Sequence, residues 1–283
     1  MLRKPTQTSR VKSRTTTDNA PSIDLASLPD GVHRTMRDGR PWFAKVRRGV
    51  PADFFAAEAR GLAAVSGTQT MRVPQVFTVD AVGIALEDLG SGEAAAVDWD
   101  VAGRRLAALH RNFGERFGFH ADGFCGDTPQ DNTPDDDGFR FFAQRRLLPQ
   151  LRRAFDAGRL DAGDCARIER VCDRLREHLP PAPPLLIHGD LWLGNLHACT
   201  NGELALIDTG AVHFGWAAAD LAMLVLFGEP PPRFFAAYEE AAGRDGAWRA
   251  QAPLLNLYHL LNHLNLFGGG YGKAVSDVAR RYA

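Results

Sequence analysis

Cysteine, lysine and long apolar runs are all scarce in this chain of 283 residues, and each shortage removes a class of explanation. The four cysteines, Cys125, Cys165, Cys172 and Cys199, are scattered, and none shows the CxxC spacing of a zinc site or a thiol redox motif. They read as reduced thiols of a cytoplasmic protein. No run approaches the roughly eighteen apolar residues of a membrane span, and no apolar stretch follows the start as export would require. An excess of one charge is missing too. With 33 basic and 34 acidic residues the formal net charge is -1, so no bulk field draws the chain to nucleic acid or to an anionic membrane. Internal repeats are absent, and nothing in the sequence sets an oligomeric state.

What is present is enough apolar material, 45% of residues, to bury a full core over a length that suits two lobes. The start, "MLRKPTQTSRVKSRTTT", carries five basic residues and no acid. We expect residues 1–22 to form a disordered tail. An organelle transit peptide is the competing reading, opposed by Pro5 and by too few apolar residues for an amphipathic helix. Residues 23–90 read as a small nucleotide-binding lobe: strands at "VHRTMRD" and "PWFAKV" around the turn "DGRP", a helix at "ADFFAAEARGLAAV", then strands at "PQVFTVD" and "GIALEDL". Residues 91–283 read as a larger catalytic and substrate-binding lobe. Its first helix places Val101, Leu106, Leu109 and Phe113 on one face, and helical periodicity dominates to the end, interrupted by short strands at "PLLIHGD", "NLHAC" and "ELALID". The acidic "QDNTPDDDG" suggests an exposed loop. The expected fold class is therefore α+β, two-lobed, with a sheet and one helix in the smaller lobe.

The segment "LLIHGDLWLGNLHACTNGELALIDTG", residues 185–210, sets polar residues into apolar runs in an order that packing alone does not require. Phosphoryl transfer from ATP needs an oriented hydroxyl, magnesium and a clamp on the phosphates. His188, Gly189, Asp190, four residues and Asn195 follow the His-x-Asp-x-x-x-x-Asn spacing of kinases, and "IDTG" supplies the later metal-binding Asp. Asp190 is thus the candidate base, and Asn195 and Asp208 are candidate magnesium ligands. Gly210 would let the chain turn sharply after Asp208. His188 would orient the loop. Lys45, one of only four lysines, stands between apolar residues on a strand and needs an anionic partner, with Glu58 or a nucleotide phosphate as candidates. It could also snorkel from an edge strand. The backbone at Glu87 and Leu89, between the lobes, could meet an adenine edge with the Glu87 and Asp88 side chains in solvent. No GxGxxG lies between residues 25 and 40, where Gly31 and Gly39 stand alone.

"HGDLWLGN" followed by "LID" resembles the aminoglycoside phosphotransferase and choline kinase superfamily, whose fold is protein-kinase-like. "FGFHADGFCGDTPQDN", "FFAQRRLLPQL" and "NLYHLLNHLNLFGGGYG", with Trp192 after "HGDL", are similar to blocks of the fructosamine kinase (ketosamine-3-kinase) family. The likeness spans roughly residues 41–272. It implies ATP- and magnesium-dependent phosphorylation of a sugar hydroxyl on a free or protein-linked ketoamine, with Asp190 as base, Asn195 and Asp208 on the metal and Lys45 on phosphate. "DTGAVHFGWAAADLAM" departs from the family pattern, and the altered turn suggests a preference for a smaller ribulosamine. The blocks at Trp192, 128–132 and 256–270 are expected to line the cleft facing Asp190. Trp192 and Trp216 could stack on a sugar face, and His259 could face the substrate. His259 and His263, four apart, could share a metal, but no third ligand is evident. Two alternatives stay open: a kinase of another small alcohol of the aminoglycoside or choline type, and a catalytically weak kinase-like module that only binds nucleotide.

Overall fold

The computed structural model describes residues 23–37 and 39–283, so the expectations for the basic tail lie outside the described residues. The smaller lobe carries β1 (Gly31–Arg37), β2 (Arg40–Val46), α1 (Phe54–Gly67), β3 (Val76–Val79) and β4 (Gly83–Glu87). The strands form one antiparallel sheet in the order β1-β2-β4-β3. Side chains alternate across such a sheet, so one strand serves two environments. Trp42, Ala44 and Val46 of β2 pack with Ile23, Leu25 and Ala85 in a small core on one face. The intervening Lys45 is thereby turned to the other face, toward α1. Ile84 and Leu86 of β4 join Phe55, Leu62 and Val65 of α1 in the main core, which continues into the larger lobe. Burying each such side chain contributes about 1.5–3 kcal/mol.

The larger lobe opens with α2 (Trp99–Leu109), a hairpin of β5 (Gly123–Cys125) and β6 (Thr128–Gln130), and α3 (Gly138–Phe141). A π-helical turn, Phe142–Leu147, joins α3 to α4 (Leu148–Asp156) and is followed by α5 (Ala162–Asp173) and α6 (Leu175–His178). Four short strands come next: β7 (Leu185–Ile187), β8 (Leu196–Ala198), β9 (Leu204–Leu206) and β10 (His213–Gly215). β7 pairs with β10 and β8 with β9, both antiparallel. Helices α7 (Ala217–Leu224), α8 (Pro232–Ala242), α9 (Trp248–Leu255), α10 (Leu257–Phe267) and α11 (Tyr271–Tyr282) complete the chain. The α2 helix is shorter than its periodicity suggests. Asn112 Nδ2 donates to the carbonyls of Ala108 and Leu109 and closes it, and Phe113 lies beyond its end, exposed. The expected C-terminal helix is also broken at Asn256, between α9 and α10.

The two lobes meet where α1 rests on the turn after β9. A Cβ on Gly61 would lie 2.0 Å from the Thr209 carbonyl oxygen, and Thr209 Oγ1 donates to the Glu58 carbonyl at 2.9 Å. Only glycine permits that approach, and it sets Glu58 beside the residue preceding Thr209, Asp208. Gly61→Ala should therefore push α1 off its seat, costing about 1–3 kcal/mol of stability. Urea unfolding checks this: an unchanged midpoint for the variant would show that the contact is not tight.

Candidate active site

Lys45, Asp190, Trp192, Asn195 and Asp208 all line one cleft between the lobes, with a volume of about 490 Å³. A larger groove of about 950 Å³ lies along α4 and α5, lined by residues such as Leu148, Phe155 and Cys165, and holds none of these groups. Lys45 Nζ donates to Glu58 Oε1 at 2.7 Å and also to Asp208 Oδ1. Burial works against the ammonium charge, but the two carboxylates outweigh it and hold the lysine above its ordinary pKa. An ammonium bonded to Glu58 on a partly buried face excludes the snorkelling alternative.

Asp208 takes the left-handed backbone conformation, φ 57° and ψ 50°, tolerated by Asp better than by most residues. The sharp turn thus falls on the Asp itself, and Gly210 is not among the positive-φ glycines. In the loop before Asp190, Gly189 has φ 81°, and a Cβ there would lie 2.2 Å from the Ala211 carbonyl oxygen, so this loop and the turn after Asp208 touch through a residue without a side chain.

The loop that carries Asp190 is hung on a buried carboxylate that the sequence pattern left without a role. Asp220 Oδ2 accepts the His188 amide at 2.7 Å, and Oδ1 accepts the Gly189 amide at 2.9 Å. His110 Nε2 lies 3.2 Å from Oδ2, and its Nδ1 is 2.8 Å from the Tyr238 hydroxyl. Burial alone would raise the Asp220 carboxyl; the bonds it accepts from His110 and from the His188 amide outweigh it and hold the pKa below the usual range. The signal was present in "WAAADLAM", where a lone Asp on an apolar helix must find donors. His188 carries out the orienting role expected of it. The Asp190 amide donates to its Nδ1 at 3.3 Å, and its Nε2 donates to the Ile207 carbonyl at 2.9 Å, immediately before Asp208.

Asn195 Nδ2 donates to the Asp190 carbonyl at 2.8 Å. A carbonyl accepts and cannot donate, so the amide nitrogen must face it, which leaves Oδ1 as the atom able to meet a cation. Burial raises the Asp190 carboxyl above its ordinary range despite His188 and His263 nearby, making it a stronger base than a solvated aspartate. His259 also reaches this point, with Nδ1 3.7 Å from Asp190 Oδ1.

Other expected site residues are placed differently. Trp192 is 40% exposed on the cleft wall, available to a ligand. Trp216 is buried against Phe117, Phe139 and Phe142, with Nε1 donating to the Ala182 carbonyl, so it packs and does not stack on substrate. The altered turn before α7 therefore gives no reason to rank ribulosamine over fructosamine. Glu87 does not release its side chain to solvent: it is paired with Arg72 and accepts the Gln75 amide at 3.2 Å. The Leu89 carbonyl takes the Thr200 amide at 3.3 Å. Of the polar residues in 128–132 and 256–270, Thr128, Gln130, Tyr258 and Asn262 face each other and do not line the cleft, whereas His259 lies beside Asp190. Thr128 Oγ1 donates to Asn262 Oδ1 at 2.6 Å, the Tyr258 hydroxyl donates to Gln130 Oε1 at 3.1 Å, and all four are buried. Arg146, in the π-helical turn, is buried too, donating to Asn132 Oδ1 at 2.7 Å over the Phe141 ring, and burial drives its pKa down to about 10. At the cleft mouth Arg47 forms a two-pronged pair with Asp127, at 2.6 and 2.8 Å, joining the lobes. Both side chains are about half exposed, so this contributes at most about 1 kcal/mol.

This architecture is that of the protein-kinase-like phosphotransferases. Macrolide 2'-phosphotransferase type I shares the fold, with a TM-score of 0.54 at 18% identity over 92% of this chain and 94% of that one. The chain belongs to the fructosamine kinase family, a family of phosphotransferases, whose sequence profile matches residues 6–282. A probable ketoamine kinase of Synechocystis sp. is 36% identical over 245 residues, 85% of this chain and 82% of that protein. The chloroplastic protein-ribulosamine 3-kinase of Arabidopsis thaliana is 32% identical over 259 residues, 87% of this chain and 77% of that protein. A crystal structure from Thermobifida fusca, provisionally designated a fructosamine-3-kinase, superimposes with a TM-score of 0.80 at 38% identity, covering 88% of this chain and 92% of that one.

Burial pushes both His213 and His259 down to about 3. In the unfolded chain each titrates near 6.5, so as pH falls below that value the unfolded state takes up protons the native state refuses. Stability is then lost progressively toward pH 3, by up to about 1.4 kcal/mol per pH unit for each histidine. His213→Asn, which can still donate to the Ala211 carbonyl, should flatten the dependence by about one proton between pH 6 and 4.5. A slope identical to wild type in urea titrations would show that His213 is protonated in the fold.

Proposed function

We propose that this chain transfers the γ-phosphoryl group of ATP to a sugar hydroxyl of a free or protein-linked ketoamine, of the fructosamine or ribulosamine type, as a deglycation activity. The observation that carries it is one cleft on which Asp190, the Lys45–Glu58 pair, Asn195 and Asp208 converge. Asp190 orients the acceptor hydroxyl and takes its proton as the new O–P bond forms and the bond to the ADP oxygen breaks. Lys45, held by Glu58, contacts the phosphates, and the Glu87 carbonyl and Leu89 amide meet the adenine edge, the Glu87 amide and Leu89 carbonyl being bonded to Gln75 and Thr200. Asn195 Oδ1 and the Asp208 carboxylate are hard oxygen donors suited to magnesium, which supplies charge neutralisation at the phosphates. In place of a glycine-rich loop, Gly31 and Val32 of β1 line that side of the cleft. A cytoplasmic location belongs to the same reading, and among the described residues the cysteines are unpaired and no helix is long and apolar enough to cross a membrane.

The relatives named for ketoamines and ribulosamine support the acceptor class. The acidic loop supports it against an aminoglycoside, a polycation that needs unpaired acids. Asp131, Asp135, Asp136 and Asp137 are each paired with an arginine: Arg145, Arg140, Arg116 and Arg176.

Incubation with Mg-ATP and fructosyl-lysine, ribulosyl-lysine, an aminoglycoside or choline tests the acceptor. Transfer to a ketoamine is expected, and transfer only to one of the other alcohols would overturn the substrate class while sparing the kinase. Asp190→Asn should lower kcat by about 10²- to 10⁴-fold with ATP affinity little changed, and nucleotide binding without turnover in wild type would favour the binding module. Trp192→Ala should raise KM for the ketoamine more than for ATP. An equal effect on both would remove the indole from the sugar site.

A further inference from the structure

His259 has a different set of neighbours from the one its spacing suggests. His263, four residues on, has its Nδ1 2.8 Å from the His259 carbonyl, and its ring packs with Phe227, Phe267 and Tyr271. Instead, Cys125 Sγ lies 4.0 Å from His259 Nδ1, which lies 3.7 Å from Asp190 Oδ1. All three donor atoms fall within 4.8 Å of one another, although they come from the β5 end, α10 and the catalytic loop. Zinc bonds of about 2.0–2.3 Å in tetrahedral geometry separate ligand atoms by roughly 3.3–3.6 Å. The three donors therefore need to close by a few tenths of an ångström to about one.

The surroundings suit an ion. Cys125 and His259 are buried, while Asp190, 19% exposed, gives access from the cleft, where water can fill a fourth position. The sulfur is also fixed from behind: Asn262 Nδ2 donates to Cys125 Sγ at 3.4 Å and to its carbonyl at 3.2 Å. Asn262 Oδ1 is held in turn by Thr128 Oγ1 at 2.6 Å and Gln150 Nε2 at 3.1 Å. An N–H aimed at sulfur stabilises a thiolate, and such outer partners orient metal ligands. Sulfur and imidazole nitrogen select zinc over magnesium, so this set is chemically distinct from Asn195 and Asp208.

We propose that Cys125, His259 and Asp190 form a zinc site whose occupancy withdraws the Asp190 carboxylate from its work as base, making zinc an inhibitor. The Zn–S bond forms as the thiol proton leaves to solvent. The binding half stands on geometry alone; the inhibitory half rests on the function proposed above.

Cobalt titrated into the metal-free full-length protein, in the presence of excess magnesium, should give a thiolate-to-cobalt charge-transfer band that zinc abolishes by competition. Loss of even an outer partner costs about 10- to 100-fold in metal affinity, so Cys125→Ser, of nearly equal size, should lose the band and weaken zinc binding by at least about 100-fold. His259→Gln should keep some thiolate absorbance at lower affinity, and circular dichroism confirms that both variants fold. Absence of the band in wild type, or zinc affinity unchanged in Cys125→Ser, would overturn the site. Phosphorylation of ribulosyl-lysine at fixed Mg-ATP, each protein compared with itself without zinc, should be lost in wild type when the site fills and recover with a chelator. The serine variant should need at least about 100-fold more zinc. A band with zinc-insensitive turnover would overturn the inhibition. No turnover on any ketoamine in zinc-free buffer would instead overturn the substrate reading, leaving the cobalt result to judge the site.

Discussion

The Asp220 carboxylate is the constraint on which the larger lobe's chemistry depends. It sits on α7, buried, and accepts the two successive amides of His188 and Gly189, just before Asp190. A charge so placed would be prohibitively unfavourable without donors, and those available to it are the backbone of His188 and Gly189 and the ring of His110. Satisfying Asp220 therefore fixes the loop. His188 then passes the constraint on, one ring nitrogen to the Asp190 amide and the other to the Ile207 carbonyl, so Asp190 and the segment that carries Asp208 are registered against each other. The geometry of the cleft floor is in this sense a by-product of satisfying one buried charge.

The smaller lobe solves a complementary problem. Lys45 is a cation turned inward by strand alternation, and it is stable there through Glu58 and Asp208, one from each lobe. Its position depends on α1, and α1 in turn on the close contact of Gly61 with Thr209. Both arrangements place charge in low-dielectric surroundings with its partners already oriented, which strengthens each interaction without reorganisation during reaction.

Much of this was legible in the sequence. The strand–helix–strand order of the smaller lobe, the kinase spacing from His188 to Asn195 and the inward Lys45 all rest on local periodicity or fixed spacing, which one chain displays. What escaped was set by contacts between distant segments. Nothing local distinguishes Trp192, on the cleft wall, from Trp216, in the core. The 123–130 hairpin is too short for its alternation to register, and the buried partners of Thr128 and Gln130 lie some 130 positions away on α10, where no local pattern points to them. Cys125 was unremarkable for the same reason: its neighbours Asp190 and His259 are brought to it only by the fold.

The seat of α1 on Thr209 also bears on how the two lobes can move. The chain leaves the sheet after Glu87, yet α1 is held by the turn that carries Asp208. Mechanically this helix belongs to the large lobe although it is encoded in the small one. An opening that carried α1 away with the sheet would drag the Asp208 turn with it. An opening that left α1 seated would shear the sheet across the helix, with the bond between Lys45 and Glu58 spanning the sliding surface.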